Sequence, residues 1–146
     1  MTKAKVRFYT EDILALIRNA NSQVARNLAE AIAEEARKNI SRNDQVDTGY
    51  MRKAIYVKTR NYSGYQEAKS AAEAYTYSRR RNRRMPPKMK FAPEAELSDS
   101  AAAVGCAADY TLVQELREPF LYPALETVAR NQAEAICQRV YREAVK

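Results

Sequence analysis

Val46-Asp47-Thr48-Gly49-Tyr50-Met51-Arg52-Lys53-Ala54-Ile55 is the stretch on which the reading of the fold turns. Thr48-Gly49 reads as a turn and Tyr50 to Ala54 as one short helical turn. From Ile55 onward the period changes. Ile55, Val57 and Thr59 alternate with Tyr56, Lys58 and Arg60, the signature of a strand with one buried face. Upstream, Ile13, Ile17, Ala20, Val24, Leu28, Ile32, Ala36 and Ile40 recur at three- and four-residue steps. That is the apolar stripe of one long amphipathic helix. Thr10 is placed to cap it, with Glu11 and Asp12 adding negative charge to the first turn. Arg18, Arg26, Glu30, Glu34, Arg37 and Lys38 belong to its polar face, and Ser41 to Gln45 break the pattern.

Downstream, Asn61 to Tyr65 reads as a turn and Glu67 to Tyr75 as a short Ala-rich helix. Ser78 to Pro93, with Pro86-Pro87, suits no regular element. The span 61–100 is therefore expected to be a variable, partly mobile excursion, of a length that is usually functional or disordered. Ala101 to Cys106 reads as a second strand of small residues. Asp109 is placed to cap a short helix whose apolar side is Leu112, Val113 and Leu116. Pro119 and Pro123 punctuate the entry to the last helix, with Pro123 in its first turn. Leu125, Val128, Ala129, Ile136, Val140 and Ala144 form its stripe. The expected fold is one α+β domain over 1–146, with two long helices on one face of a small antiparallel sheet.

Composition narrows the chemistry. The chain has 146 residues, no His and no Trp, three Phe and ten Tyr. Without histidine there is no Ser-His-Asp or Cys-His catalysis and no His-based metal site. Cys106 and Cys137 lack a CxxC spacing and read as small core residues in a reducing compartment. Lys3, Lys5 and Arg7 precede an amphipathic pattern, not an apolar core segment, so no secretory leader or membrane span is read. A product soluble in the cytoplasm of its cell is expected, and neither a cofactor nor a catalytic residue is assigned.

The net charge of +7 is concentrated in one place. Arg79, Arg80, Arg81, Arg83, Arg84, Lys88 and Lys90 follow one another without an intervening acid, while the remaining charges nearly cancel. Three readings stay open for this run. It is a solvated loop, a phosphate-binding patch on DNA, or a docking element for an acidic protein face. Tyr75, Tyr77 and Phe91 are too sparse beside it for a base-stacking platform.

Asp47-Thr48-Gly49 is also the triplet that carries the catalytic carboxylate of aspartic proteases. Those enzymes need two carboxylates sharing a proton, so a chain this short would have to dimerise. The polar residues before the triplet and the bulky ones after it favour a turn in which Gly49 frees the backbone and Asp47 caps neighbouring amides.

Three boxes, taken in order, carry a family resemblance: Val46 to Ile55, then Ala108-Asp109-Tyr110 with Val113 and Glu115, then Pro119-Phe120-Leu121-Tyr122-Pro123-Ala124-Leu125. Flanked by a long first helix and a final helix, they resemble the tail-completion, or minor tail component, family of long-tailed bacteriophages. Asp47, Thr48, Gly49, Tyr110, Glu115, Pro119, Phe120 and Pro123 stand at the family's motif positions. Met51 and Ala54 replace a Leu and a Ser, and Leu116 an aromatic residue. Arg117-Glu118 run straight into Pro119 where the family has Gly-Thr, and the basic excursion is longer than usual. The resemblance spans most of the chain outside about 61–100. It implies a non-enzymatic virion protein of the neck, assembling as a ring, usually six-fold, at the head–tail junction. Connector, tail-terminator or tail-tube proteins are the implied partners, with channel DNA as a further contact. The resemblance also implies a structural salt bridge for Glu115, with Arg52 as the expected partner. A free-standing nucleic-acid-binding domain is the alternative that charge supports.

Overall fold

The computed structural model describes residues 10–43, 50–78, 96–98, 100–108 and 111–146. It is mostly helical, with one small antiparallel sheet, an α+β fold as expected. The order along the chain is α1 (Thr10–Arg42), α2 (Tyr50–Lys53), β1 (Ile55–Thr59), β2 (Tyr62–Ser63), α3 (Tyr65–Ser78), β3 (Ala102–Cys106), α4 (Thr111–Arg117), α5 (Leu121–Asn131) and α6 (Ala133–Val145).

Helix α1 is 33 residues long, with Glu11 and Asp12 in its first turn and Arg42 in its last, both favourable to the helix dipole. Thr10 already lies within the helix, one position inside the cap expected of it. The buried face of α1 is Ala29, Ala33, Ala36 and Ile40, so small residues line the contact with the sheet. They let the elements approach closely, and bulk comes from elsewhere. Phe120, Ile40, Ile55 and Val128 are the largest side chains with almost no exposure. Ile55, Met51, Ala54, Ala107, Ala108, Phe120 and Ala124 join this core.

The sheet has the order β2-β1-β3, antiparallel throughout. Ile55 faces Cys106 and Val57 faces Val104 across β1 and β3. Alternation then sends Tyr56 and Gly105 to the other face. There the Tyr56 ring meets Tyr65 of α3 edge-on, with centroids 5.1 Å apart and planes at 79°. Gly105 makes room for that ring, since a Cβ at this position would lie 2.7 Å from the Tyr56 Cζ and Oη. The sheet thus packs on α1 through one face and on α3 through the other, whereas the sequence suggests helices on a single face. The start of the expected excursion is ordered as β2 and α3, and Ala72 on α3 is fully buried. Residues 79–95, which hold the basic run, lie outside the described residues.

The last helix is two helices. At Gln132 the backbone leaves helical values (φ −128°, ψ −23°), although its N–H still reaches the Val128 carbonyl at 2.9 Å. Ile136 N–H in turn donates to the Gln132 carbonyl at 3.0 Å. The buried positions Ala124, Val128, Ile136 and Val140 explain the offset. Steps of four drift by about 40° each on a straight helix, so a long run of them turns away from its partner. The offset at Gln132 falls midway along this run, and both halves pack on α1.

Two further expectations differ from the structure. Ile13 and Ile17, read as part of the buried stripe, are 56% and 40% exposed. The periodicity is real, but the buried positions of α1 begin only at Ala20, so the first turns of the stripe stay outside the core. Leu112, Val113 and Leu116, read as the packed side of α4, are exposed, and α4 buries no residue at all.

Close approach on alanine predicts sensitivity to added volume. Ala36→Leu should cost about 1–3 kcal/mol by overpacking, read as a lowered urea midpoint; an unchanged midpoint would contradict this packing.

Candidate functional site

The chain between α4 and α5 is held from two sides. Asn39 Nδ2, near the end of α1, donates to the Phe120 carbonyl at 3.1 Å, and Asn43 Nδ2 donates to the Pro119 carbonyl at 3.2 Å. From the other side comes Glu115. Its Oε2 accepts the backbone N–H groups of Phe120 at 2.9 Å and Leu121 at 3.0 Å, and its Oε1 accepts that of Tyr122 at 2.9 Å.

Three amides on one carboxylate have a clear physical origin. The first N–H groups of a helix have no partner inside it, and the helix dipole makes that end electropositive. Phe120, at the N-cap position, has no side-chain oxygen to offer them. Glu115 supplies the missing acceptors from the preceding helix. Pro123, third residue of α5, has no N–H to satisfy. Every backbone donor from Phe120 to Tyr122 therefore has a partner, and the next amide, that of Ala124, is the first the helix's own bonding pattern can serve.

This geometry revises the role expected for Glu115. The carboxylate accepts backbone amides, and the Arg52 guanidinium donates to Ser41 Oγ at 3.2 Å. A sequence signal existed: a glutamate one short helix upstream of a Pro-bounded helix start that lacks its own capping residue. Asn39 and Asn43 were also missed, because they sit where the α1 pattern ends and their acceptors are 81 and 76 residues away. Of the other motif positions, Pro119, Phe120 and Pro123 belong to this junction. Asp47, Thr48, Gly49 and Tyr110 lie outside the described residues, as do Asp109 and the basic run.

Beside the junction lies an apolar groove of about 640 Å³. Leu28 and Ile32 of α1 form its floor, Val104 of β3 one wall, and Leu121, Tyr122 and Leu125 of α5 the other. Tyr122 and Leu125 are 62% and 48% exposed, and Leu112 and Leu116 stand on the same short helix as Glu115. Among the described residues, Glu115 is the one charged side chain lining the groove.

A second cleft, of about 570 Å³, opens between α1, β1, β2 and α3, and several charged side chains in or beside it are engaged. Arg26 pairs with Glu30 at 3.0 Å and lies 5.2 Å from the centre of the Tyr62 ring. The Tyr62 hydroxyl donates to Glu67 at 3.1 Å, and that bond raises its pKa. Arg37 donates to the Ile55 carbonyl at 3.2 Å. Glu35, a buried residue of α1, meets Arg42 at 2.9 Å and Lys38 at 3.6 Å. Among the described residues, no three Cys, Asp or Glu side chains converge as metal ligands would, and no helix is long and apolar enough to cross a membrane.

No family model matches the chain, and neither a curated protein nor a solved structure matches it.

Glu115→Ala should lower stability by about 1–3 kcal/mol, because three amides lose their acceptor. Glu115→Gln keeps the oxygen able to serve part of the set and should cost less; equal urea midpoints for wild type and Ala would contradict this capping role.

Both cysteines are free thiols. Burial raises the Cys106 pKa, with hydrogen bonds from Thr111 and Ala108 opposing it. Its protonated form therefore contributes stability fully below the ordinary thiol value, and that contribution is lost as pH rises through the raised one. Iodoacetamide at mildly alkaline pH should modify Cys106 far more slowly in the native protein than in urea, with peptide mapping as the readout. Equal rates in the two states would rule out a buried protonated thiol.

Proposed function

We propose that this protein is a tail-completion protein of a long-tailed bacteriophage, a structural part of the virion neck that acts by assembly. The observation that carries the reading is the ordered set of three boxes, together with what two of them do. Glu115 of the second box and Phe120 to Pro123 of the third meet in one junction through three backbone hydrogen bonds. Residues that look unrelated along the chain thus serve one local purpose, which favours a motif set over coincidence. Exposed apolar side chains on α1, α4 and α5 further support a chain that completes its burial against neighbours.

On this reading the work is done by binding energy. Copies join as a ring, six-fold by the family's habit, and a closed ring requires heterologous contacts between subunits. Connector proteins on the head side and tail-terminator or tail-tube proteins on the other are the partners. The run from Arg79 to Lys90 meets an acidic protein face or channel DNA. A free-standing nucleic-acid binder draws its support from that same run, and would show duplex binding with a steep salt dependence.

Lysates of the phage lacking this gene should contain filled heads and unjoined tails by negative-stain microscopy, restored by complementation. Normal infectious particles would overturn the neck reading. Deleting Arg79 to Arg84 should leave the far-UV spectrum unchanged yet reduce complementation by about tenfold or more; full complementation by that variant would remove the docking role from the basic run.

A further inference from the structure

The apolar groove and the exposed end of α1 lie on the same side of one helix. At about 100° per residue, Leu14, Arg18, Asn21, Ala25, Leu28 and Ile32 fall within about 80° of one another. Their spacing alternates four and three, the seam of a heptad. Toward the C-terminal end of this seam, Ala25, Leu28 and Ile32 line the groove between α5 and β3. Toward the other end the helix continues past the sheet, and Leu14 is 46% exposed with Ile17 beside it at 40%. Leu14 and Ile32 are separated by about 27 Å along the helix axis.

A raised apolar end and an apolar hollow on one face of one rod are complementary to a second copy running the opposite way. We infer that two copies of this chain pair antiparallel along α1, each inserting Leu14 and Ile17 into the other's groove. A two-fold axis near residue 23 makes every contact twice and doubles the area covered. In this register Leu14 meets Ile32 of the second copy, Arg18 meets its Leu28, and Asn21 meets its Ala25.

Charge selects this occupant. Among the described residues, the seam's exposed half carries one charged residue, Arg18, and the groove carries one, Glu115. Glu115 uses its oxygens on three amides but keeps its negative charge. The alkyl stem of Arg18 covers Leu28 of the second copy while its guanidinium reaches toward that Glu115. Asn21 sits at the centre of the seam, where a polar residue fixes register at some cost in stability. Its side chain is also held by the Tyr141 hydroxyl, at the rim of the same strip. The pairing concerns the free chain and does not rest on the neck reading. A two-fold pair is not a ring contact, so each stands or falls by its own experiment.

Sedimentation equilibrium tests the pairing first. Wild-type protein should be dimeric, and both Leu14→Glu and Arg18→Glu should raise the dimer Kd by about tenfold or more with circular dichroism and melting unchanged. Both residues are exposed, so neither change threatens the fold. Symmetry is tested in a background carrying Cys106→Ala and Cys137→Ala. Asn21→Cys and Ala25→Cys chains, mixed and oxidised, should form the mixed disulfide well above either homodisulfide. A wild-type chain that stays monomeric at about 1 mM, a dimer indifferent to Leu14→Glu, or no preference for the mixed disulfide would each overturn the inference.

Discussion

One carboxylate organises the C-terminal half of this molecule. A helix beginning at Leu121 starts with unpaired amides, in a segment whose N-cap residue is a phenylalanine. Left so, the donors would have to stay in water, and Phe120 could not sit in the core with no exposure. Glu115 resolves the conflict by taking all three amides, while Asn39 and Asn43 take the carbonyls before them. The polar backbone is satisfied at the entrance, and the phenyl ring is free to bury. Through α5 the same junction sets one wall of the groove, so the core and the principal apolar surface depend on one bond set.

The second constraint is the alanine content of the core. Small side chains bring α1, the sheet and α5 close together, yet each removes little apolar area from water. The larger apolar residues are not all used inside. Leu14 and Ile17 on α1, Leu112 and Leu116 on α4, and Tyr122 and Leu125 on α5 remain on the surface. Surface of this kind beside a well-ordered junction suits a protein whose business is contact with other chains.

Periodicity made much of the fold legible. The long first helix, β1, β3 and the short Ala-rich helix were all visible as changes between three-to-four and two-residue spacing. Periodicity reports that a face is apolar, however, and is silent on what covers it. Ile13 and Ile17 continue the α1 stripe beyond the reach of the sheet, and Leu112, Val113 and Leu116 form an apolar side that nothing in the chain covers among the described residues. The offset at Gln132 was hidden for a related reason: the stripe reads as continuous although its four-residue steps cannot stay in line on a straight helix. Glu115 was visible as a residue worth naming, but its partners are backbone amides, which carry no sequence signature of their own. An ion pair with Arg52 was the more obvious expectation because side chains are what a sequence displays.

Amide hydrogen exchange at Phe120, Leu121 and Tyr122 reads out the Glu115 cap on each bond. First-turn amides ordinarily have no intrahelical acceptor and exchange readily. Held on the Glu115 carboxylate, these three should instead exchange about a hundredfold or more slower than unprotected chain, together with the buried amides of α5. Exchange of all three at unprotected rates, with the rest of α5 protected, would contradict the account.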